Sequence, residues 1–215
     1  MVKVSIFAVV SSISVFAVIF ASVSVGRSEP PVRWNDEGGR FKPIVEADLP
    51  EGFPTYTPVG QIEVKKYPAY RKAETSGRTA FWSLFNHIKE NQIAMTAPVE
   101  MTLRSEGANR LSEQSMAFLY GKPAMGTPGR DGKIAVSDVP AMTVVSIGVR
   151  GTRSDEAVNE AHERLQRWLQ ANRGQYVSVG PVRLMGYNSP FVPRDRQFFE
   201  IQIPIRTGEN GGRNK

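Results

Sequence analysis

One succession of elements can be read twice along this chain, and that constrains the fold more than any single motif. In the first half, residues 62–75 (IEVKKYPAYRKAET) alternate like a strand and are interrupted at Pro68. Residues 78–91 (RTAFWSLFNHIKEN) have helical spacing, and 93–103 and 116–120 read as strands joined by the polar loop RSEGANRLSEQS. The second half repeats the order: a strand at 141–150 (AMTVVSIGVR), a helix at 154–172 (SDEAVNEAHERLQRWLQAN), and strands at 182–187 and 197–205 (QFFEIQIPI). The leading strand of each half follows a Pro-Ala, Pro68-Ala69 and Pro140-Ala141, and the glycine- and proline-rich GKPAMGTPGRDGK joins the halves.

The second helix carries the clearest signals. Ser154 is placed to cap it, with Asp155 and Glu156 at the positive end of the dipole. Val158, Ala161, Leu165, Trp168 and Leu169 form its apolar stripe, and Asn172 and Gly174 can end it. The first helix places Phe81, Leu84, Phe85 and Ile88 on one face. Two β-α-β-β units predict an α+β domain: one curved antiparallel sheet or distorted open barrel of about eight strands, flanked by a helix from each half.

The chain has 215 residues, no cysteine and a net charge of +6. Disulfides, thiolate metal sites and cysteine nucleophiles are therefore excluded. Charges of both signs are spread along the sequence. No basic run or aromatic-interleaved stripe points to nucleic acid. Residues 1–26 have Lys3 followed by a serine-diluted apolar stretch, with Ser24 and Gly26 where a signal peptidase reads small residues. They predict export to a periplasmic or secreted location, with cleavage after Gly26. The alternative is an uncleaved membrane anchor, since roughly 20 apolar residues span a bilayer. Residues 27–52 read as a linker or arm, 53–206 as the folded domain, and 207–215 as a disordered tail.

In the stretch IAMTAPVEM (93–101), strand alternation puts Ile93, Met95, Ala97, Val99 and Met101 on an apolar face, and Thr96, Pro98 and Glu100 on a polar one. The methionines then read first as adaptable packing residues. Pro98 predicts an edge, a bulge or a bend. A bend beside Met95 would suit the rim of a site for a flat apolar ligand.

The segments IEVKKYPAY, FWSLFNHIKEN and IAMTAPVEM, followed by PGRDGKIAV and FFEIQIPI, resemble the SOUL haem-binding protein family in order and spacing over residues 58–205. The resemblance implies a distorted β-barrel of two β-α-β-β repeats, a fold shared with bacterial effector-binding domains. It also implies reversible, non-covalent binding of haem or related tetrapyrroles. The porphyrin would lie in an apolar groove beside the first helix (Phe81, Leu84, Phe85, Ile88) and the loop of the last hairpin, 187–196, with Tyr187, Phe191 and Arg194. Where some members of the family carry a histidine proposed to ligate iron, this chain has Lys66. A protonated lysine has no lone pair to offer at neutral pH.

Other candidate iron ligands are Met95, Met101 or Met185 through a thioether, or Tyr67 as a phenolate. Of the two histidines, His87 lies on the flank of the first helix and is expected to face solvent. His162 lies near the apolar face of the second and is expected to be half-buried. Lys65, Lys66, Arg71, Lys72, Arg78, Arg194 and Arg196 are candidate partners for haem propionates. Two other functions fit the same fold: an effector-type pocket for another flat hydrophobic molecule, and a small-molecule hydrolase with Glu100, Glu200 and Tyr187 as candidate acids and bases.

Overall fold

The computed structural model describes residues 41–107 and 110–208. The expected export segment, the first part of the arm and most of the tail lie outside them.

Ten strands and two α-helices follow one another as β1 (Ile62–Tyr67), β2 (Tyr70–Thr75), α1 (Ala80–Glu90), β3 (Val99–Ser105), β4 (Leu111–Leu119), β5 (Gly129–Asp131), β6 (Ile134–Val139), β7 (Met142–Arg150), α2 (Asp155–Ala171), β8 (Tyr176–Ser178), β9 (Val182–Gly186) and β10 (Phe198–Thr207). The strands form one sheet in the order β1-β7-β10-β9-β3-β4-β2-β6-β5, with β8 added on β10, and these strand pairs are antiparallel. The path is open, ending at β1 and β5. The Pro68-Ala69 break is where the chain leaves one end of the sheet for the other: β1 and β2 are consecutive, yet β7, β10, β9, β3 and β4 lie between them. Only a strongly curved sheet allows that. The expected α+β architecture is present in its open form, with the short strands β5 and β8 added.

The two halves are related about the centre of the sheet. From the centre outward, β3, β4 and β2 of the first half mirror β9, β10 and β7 of the second. The β3–β9 pair joins them, with Met101 opposite Leu184.

Local chemistry explains the boundaries. Ser154 Oγ accepts from Ala157 N at 3.2 Å and starts α2. Asn91 closes α1, its side chain donating to His87 O at 2.8 Å. β3 begins only at Val99, because Pro98 brings no N–H to a ladder and Ala97 N is spent on Asp48 O. Residues 93–98, expected to be strand, are loop. Conversely, LSEQS, read as loop, is the first part of β4: Leu111 is buried and Ser115 Oγ donates to Glu74.

The central strands divide their side chains between two covered faces. One is the helix face, where Met101, Leu103, Phe118, Ile147, Leu184 and Ile201 pack with Leu84 and Ile88 of α1 and Ala161 and Leu165 of α2 in one core. The other carries Lys65, Tyr67, Tyr70, Glu100, Arg183, Met185, Glu200 and Gln202, all buried. It is covered by residues 41–59, the end of the expected 27–52 arm continued by the first residues of the expected domain, which together form the arm of the folded structure. Phe53 packs on Tyr67 and Tyr70, Tyr56 on Phe198, and Val59 bridges to Gly148. The polar face read for Glu100 is therefore not a solvent face: Glu100 is 3% exposed.

Candidate functional site

The most exposed aromatic cluster on the helix side is built by α1. Phe81 and Phe85 are one helical turn apart and therefore on one side. Their rings are nearly parallel (10°), with centroids 6.2 Å apart. Trp82 meets both edge-on, at 5.6 and 6.1 Å, and is 38% exposed. Phe118 of β4 supports Phe81 from below in a T-shaped contact at 5.3 Å. Leu84 and Ile88 form the row beneath, fully inside the core. The result is an aromatic ledge on a rigid base. Trp82 was not singled out from the sequence, although its place between Phe81 and Phe85 in FWSLF was the available signal.

The helix start beside this ledge is electropositive. The first turn of α1 holds no acidic residue, so its free N–H groups and dipole are not offset from within the helix. Arg78, exposed, precedes the helix by two residues.

The loop after β9 leaves the sheet beside the segment that follows α1, because Gly186 pairs with Val99. The arm ties the two together. Asp48 O accepts from Ala97 N, while Glu46 accepts from Ser189 N and Ser189 Oγ at 2.7 and 2.8 Å. In this loop Phe191 is 63% exposed and Arg194 is exposed. Tyr187 turns toward the arm face, its hydroxyl 3.3 Å from Glu200 Oε1 and its ring against Phe198. Met95 is partly buried against the core near the foot of α1.

Lys66 is exposed on β1, on the opposite side of the strand from buried Lys65 and Tyr67. β1 pairs with β7, whereas α1 packs on β2 and β4.

His87 corrects the sequence reading outright. It is 6% exposed, with Nδ1 2.7 Å from Asp131 Oδ2 and Nε2 2.9 Å from Tyr120 Oη. The cover comes from β5, whose short hairpin returns to α1. Both ring nitrogens are committed and neither is available to iron. His162 is half-buried on α2, and burial lowers its pKa. Met101 and Met185 are buried, and Tyr67 is enclosed, with burial raising its pKa and Gln202 Nε2 donating to its hydroxyl. Among the described residues no cluster of three or more His, Asp or Glu has a metal-holding arrangement. At the ledge the side chains are aromatic, and His87, the histidine of α1, has both ring nitrogens engaged within the protein.

Of the basic residues proposed for propionates, three are engaged within the protein. Lys65 pairs with Glu200 at 3.0 Å, Lys72 with Glu100 at 3.0 Å and Glu74 at 3.2 Å, and Arg71 with Asp138 at 2.7 Å. Lys66, Arg78, Arg194 and Arg196 are exposed.

The candidate acids and bases lie on the arm face. Burial pushes the Glu100 carboxyl up, but Arg183 and Lys72 outweigh it and hold the pKa down at about 2. Glu200 accepts from Thr57 N, Lys65 Nζ, Ser146 Oγ and Gln202 Nε2. The Tyr187 hydroxyl is raised well above its ordinary value by burial and by Glu200. Satisfied, ion-paired carboxylates of this kind are poor general bases.

Among solved structures the chain is similar to the C-terminal domain of EcmrR (17% identity, TM-score 0.51, covering 69% of this chain and 98% of that one). It is also similar to EcmrR in a DNA complex (15% identity, TM-score 0.53, covering 69% and 58%). The likeness lies in the fold, and the chain spans little more than half of the longer EcmrR. No curated protein matches it. The family model described as SOUL heme-binding protein matches residues 53–204, which span both repeats, the ledge and the last hairpin. The chain belongs to the SOUL heme-binding protein family.

Proposed function

We propose that this protein binds haem or a related tetrapyrrole reversibly on the α1 ledge, as a carrier, buffer or scavenger, without carrying out a reaction on it. The observation that carries the reading is the partly exposed Phe81–Trp82–Phe85 cluster, standing on a buried base beside a positive helix start. A flat macrocycle stacks on such a surface, while Arg78 and the N–H groups of the first turn answer its carboxylates. Met95, from the segment after α1, and Phe191 and Arg194, from the loop after β9, are the further residues assigned to this site. Leu84 and Ile88 hold the ledge rigid from beneath. Affinity then comes from the buried porphyrin face, and micromolar binding, a free energy of about −8 kcal/mol, is expected.

Titration of hemin into the wild type and into Trp82→Ala tests this. Saturable one-to-one binding that weakens in the variant supports it, and equal binding by both removes the ledge from the account. Residues 1–26 support export. Cell fractionation that finds the protein in the cytoplasm would overturn that part of the proposal.

A further inference from the structure

Residues 53–57 of the arm do to the arm face what a ligand would do. The Phe53 ring stands edge-on to Tyr67 and Tyr70, with centroids 4.9 and 5.2 Å away. It packs against the satellite cluster of Tyr70, Leu119 and Met185. A few residues on, Thr57 N donates to Glu200 Oε1 at 2.6 Å. The arm thus offers one aromatic ring and one amide N–H, separated by three residues.

The seat depends on a missing side chain. A Cβ on Gly148 of β7 would lie 2.1 Å from Thr57 O and 2.8 Å from Pro58 O. Only glycine lets the arm backbone lie flat there. The cover also leaves polar groups unanswered beneath it: Arg183 Nε and Gln202 Oε1 are buried without a hydrogen-bond partner. Buried polar groups are nearly always paired, so these two atoms are open to a guest. Its charges balance, Lys65, Lys72 and Arg183 against Glu74, Glu100 and Glu200, so it does not select a charged guest.

We propose that the arm face is a second small-molecule site, for neutral aromatic compounds that carry an amide N–H, and that the arm is its built-in competitor. The guest's ring takes the place of Phe53 and its N–H takes the place of Thr57 N. The site lies on the opposite side of the sheet from the ledge and does not depend on tetrapyrrole binding. Occupancy by the arm lowers the apparent affinity of any guest by the fraction of molecules in which the arm is displaced.

The test uses the full chain and two probes, N-phenethylacetamide and its N-methylated form, by calorimetry. Gly148→Ala wedges the arm backbone off, and Phe53→Ala empties only the ring position. Both variants should bind N-phenethylacetamide at least about tenfold more tightly than the wild type. N-methylation should weaken binding about fivefold or more in Gly148→Ala, where Glu200 is exposed to the guest, but not in Phe53→Ala, where Thr57 N still holds Glu200. Folded variants that bind no better than wild type overturn the proposal, as does indifference to N-methylation in Gly148→Ala. If Gly148→Ala fails to fold, Phe53→Ala decides the matter alone. Protoporphyrin binding should stay within about twofold in both variants, so failure here and failure of the ledge are read separately.

Discussion

Arg183 Nη2 lies 2.7 Å from Glu100 Oε2, and the two residues occupy equivalent places in the two repeats. Each is the second residue of its strand and follows a Pro-Val, Pro98-Val99 before Glu100 and Pro181-Val182 before Arg183. The Met101–Leu184 pair sits next to them at the centre of the sheet. Each repeat therefore contributes one member of a buried ion pair across the axis that joins them. Tyr70 Oη, at 2.8 Å, and Lys72 Nζ complete the Glu100 shell.

This pair predicts acid sensitivity. The Glu100 pKa is about 2 in the folded protein against an ordinary 4.5. A depressed carboxyl contributes stability that is fully present above its unfolded value and is lost as pH falls toward the folded value. Denaturation midpoints should hold down to about pH 5 and drop between pH 4.5 and 2, by at most on the order of 3 kcal/mol for this group. In Glu100→Gln that part of the slope should vanish, and the variant should be less stable at pH 7, because Arg183 is left buried and unpaired. An unchanged acid slope in Glu100→Gln would show that the ion pair is not its source.

The ledge predicts a separation of binding from folding. Trp82 is partly exposed, so Trp82→Ala should lower tetrapyrrole affinity about tenfold and stability by less than about 1 kcal/mol. Leu84→Ala removes a fully buried side chain beneath the same ledge and should cost about 2–5 kcal/mol of stability. Paired thermal melts and titrations check both.

Lys66 predicts a null result. It lies on β1, which pairs with β7, whereas α1 packs on β2 and β4. Lys66→Ala should leave the affinity for hemin and for protoporphyrin IX within about twofold, well under 1 kcal/mol. A larger loss measured by absorbance titration would return this position to the binding site.

His87 predicts a structural role. Replacing it with alanine abandons Asp131 and the buried Tyr120 hydroxyl. Stability should fall by about 1–3 kcal/mol, while hemin bound by the folded protein keeps its wild-type absorption spectrum. A changed Soret band in His87→Ala would instead make the imidazole an iron ligand.

The repeat, both helices and the Ser154 cap were legible because they rest on local signals, periodicity and capping chemistry. The burial of Glu100 was not legible because alternation marks an exposed face only when water lies on it, and here residues 41–59 lie on it. That arm has no periodicity, since it follows the contours of the sheet with Phe53, Tyr56 and Thr57 and forms no strand of its own. His87 was misread for a similar reason. A helical wheel does not show that Asp131 returns from a glycine-rich connection to meet it. The Pro-Val shared by β3 and β9 was visible in the sequence, and it marks the junction of the two halves.

The most direct measurement is a side-by-side titration of the protein with hemin and with protoporphyrin IX, followed by tryptophan quenching in the wild type and in Trp82→Phe. Recognition through the porphyrin face predicts dissociation constants within about threefold of each other, a difference below 1 kcal/mol, and quenching much reduced in Trp82→Phe. Hemin bound a hundredfold more tightly than the metal-free ring, or quenching untouched by the substitution, would contradict it.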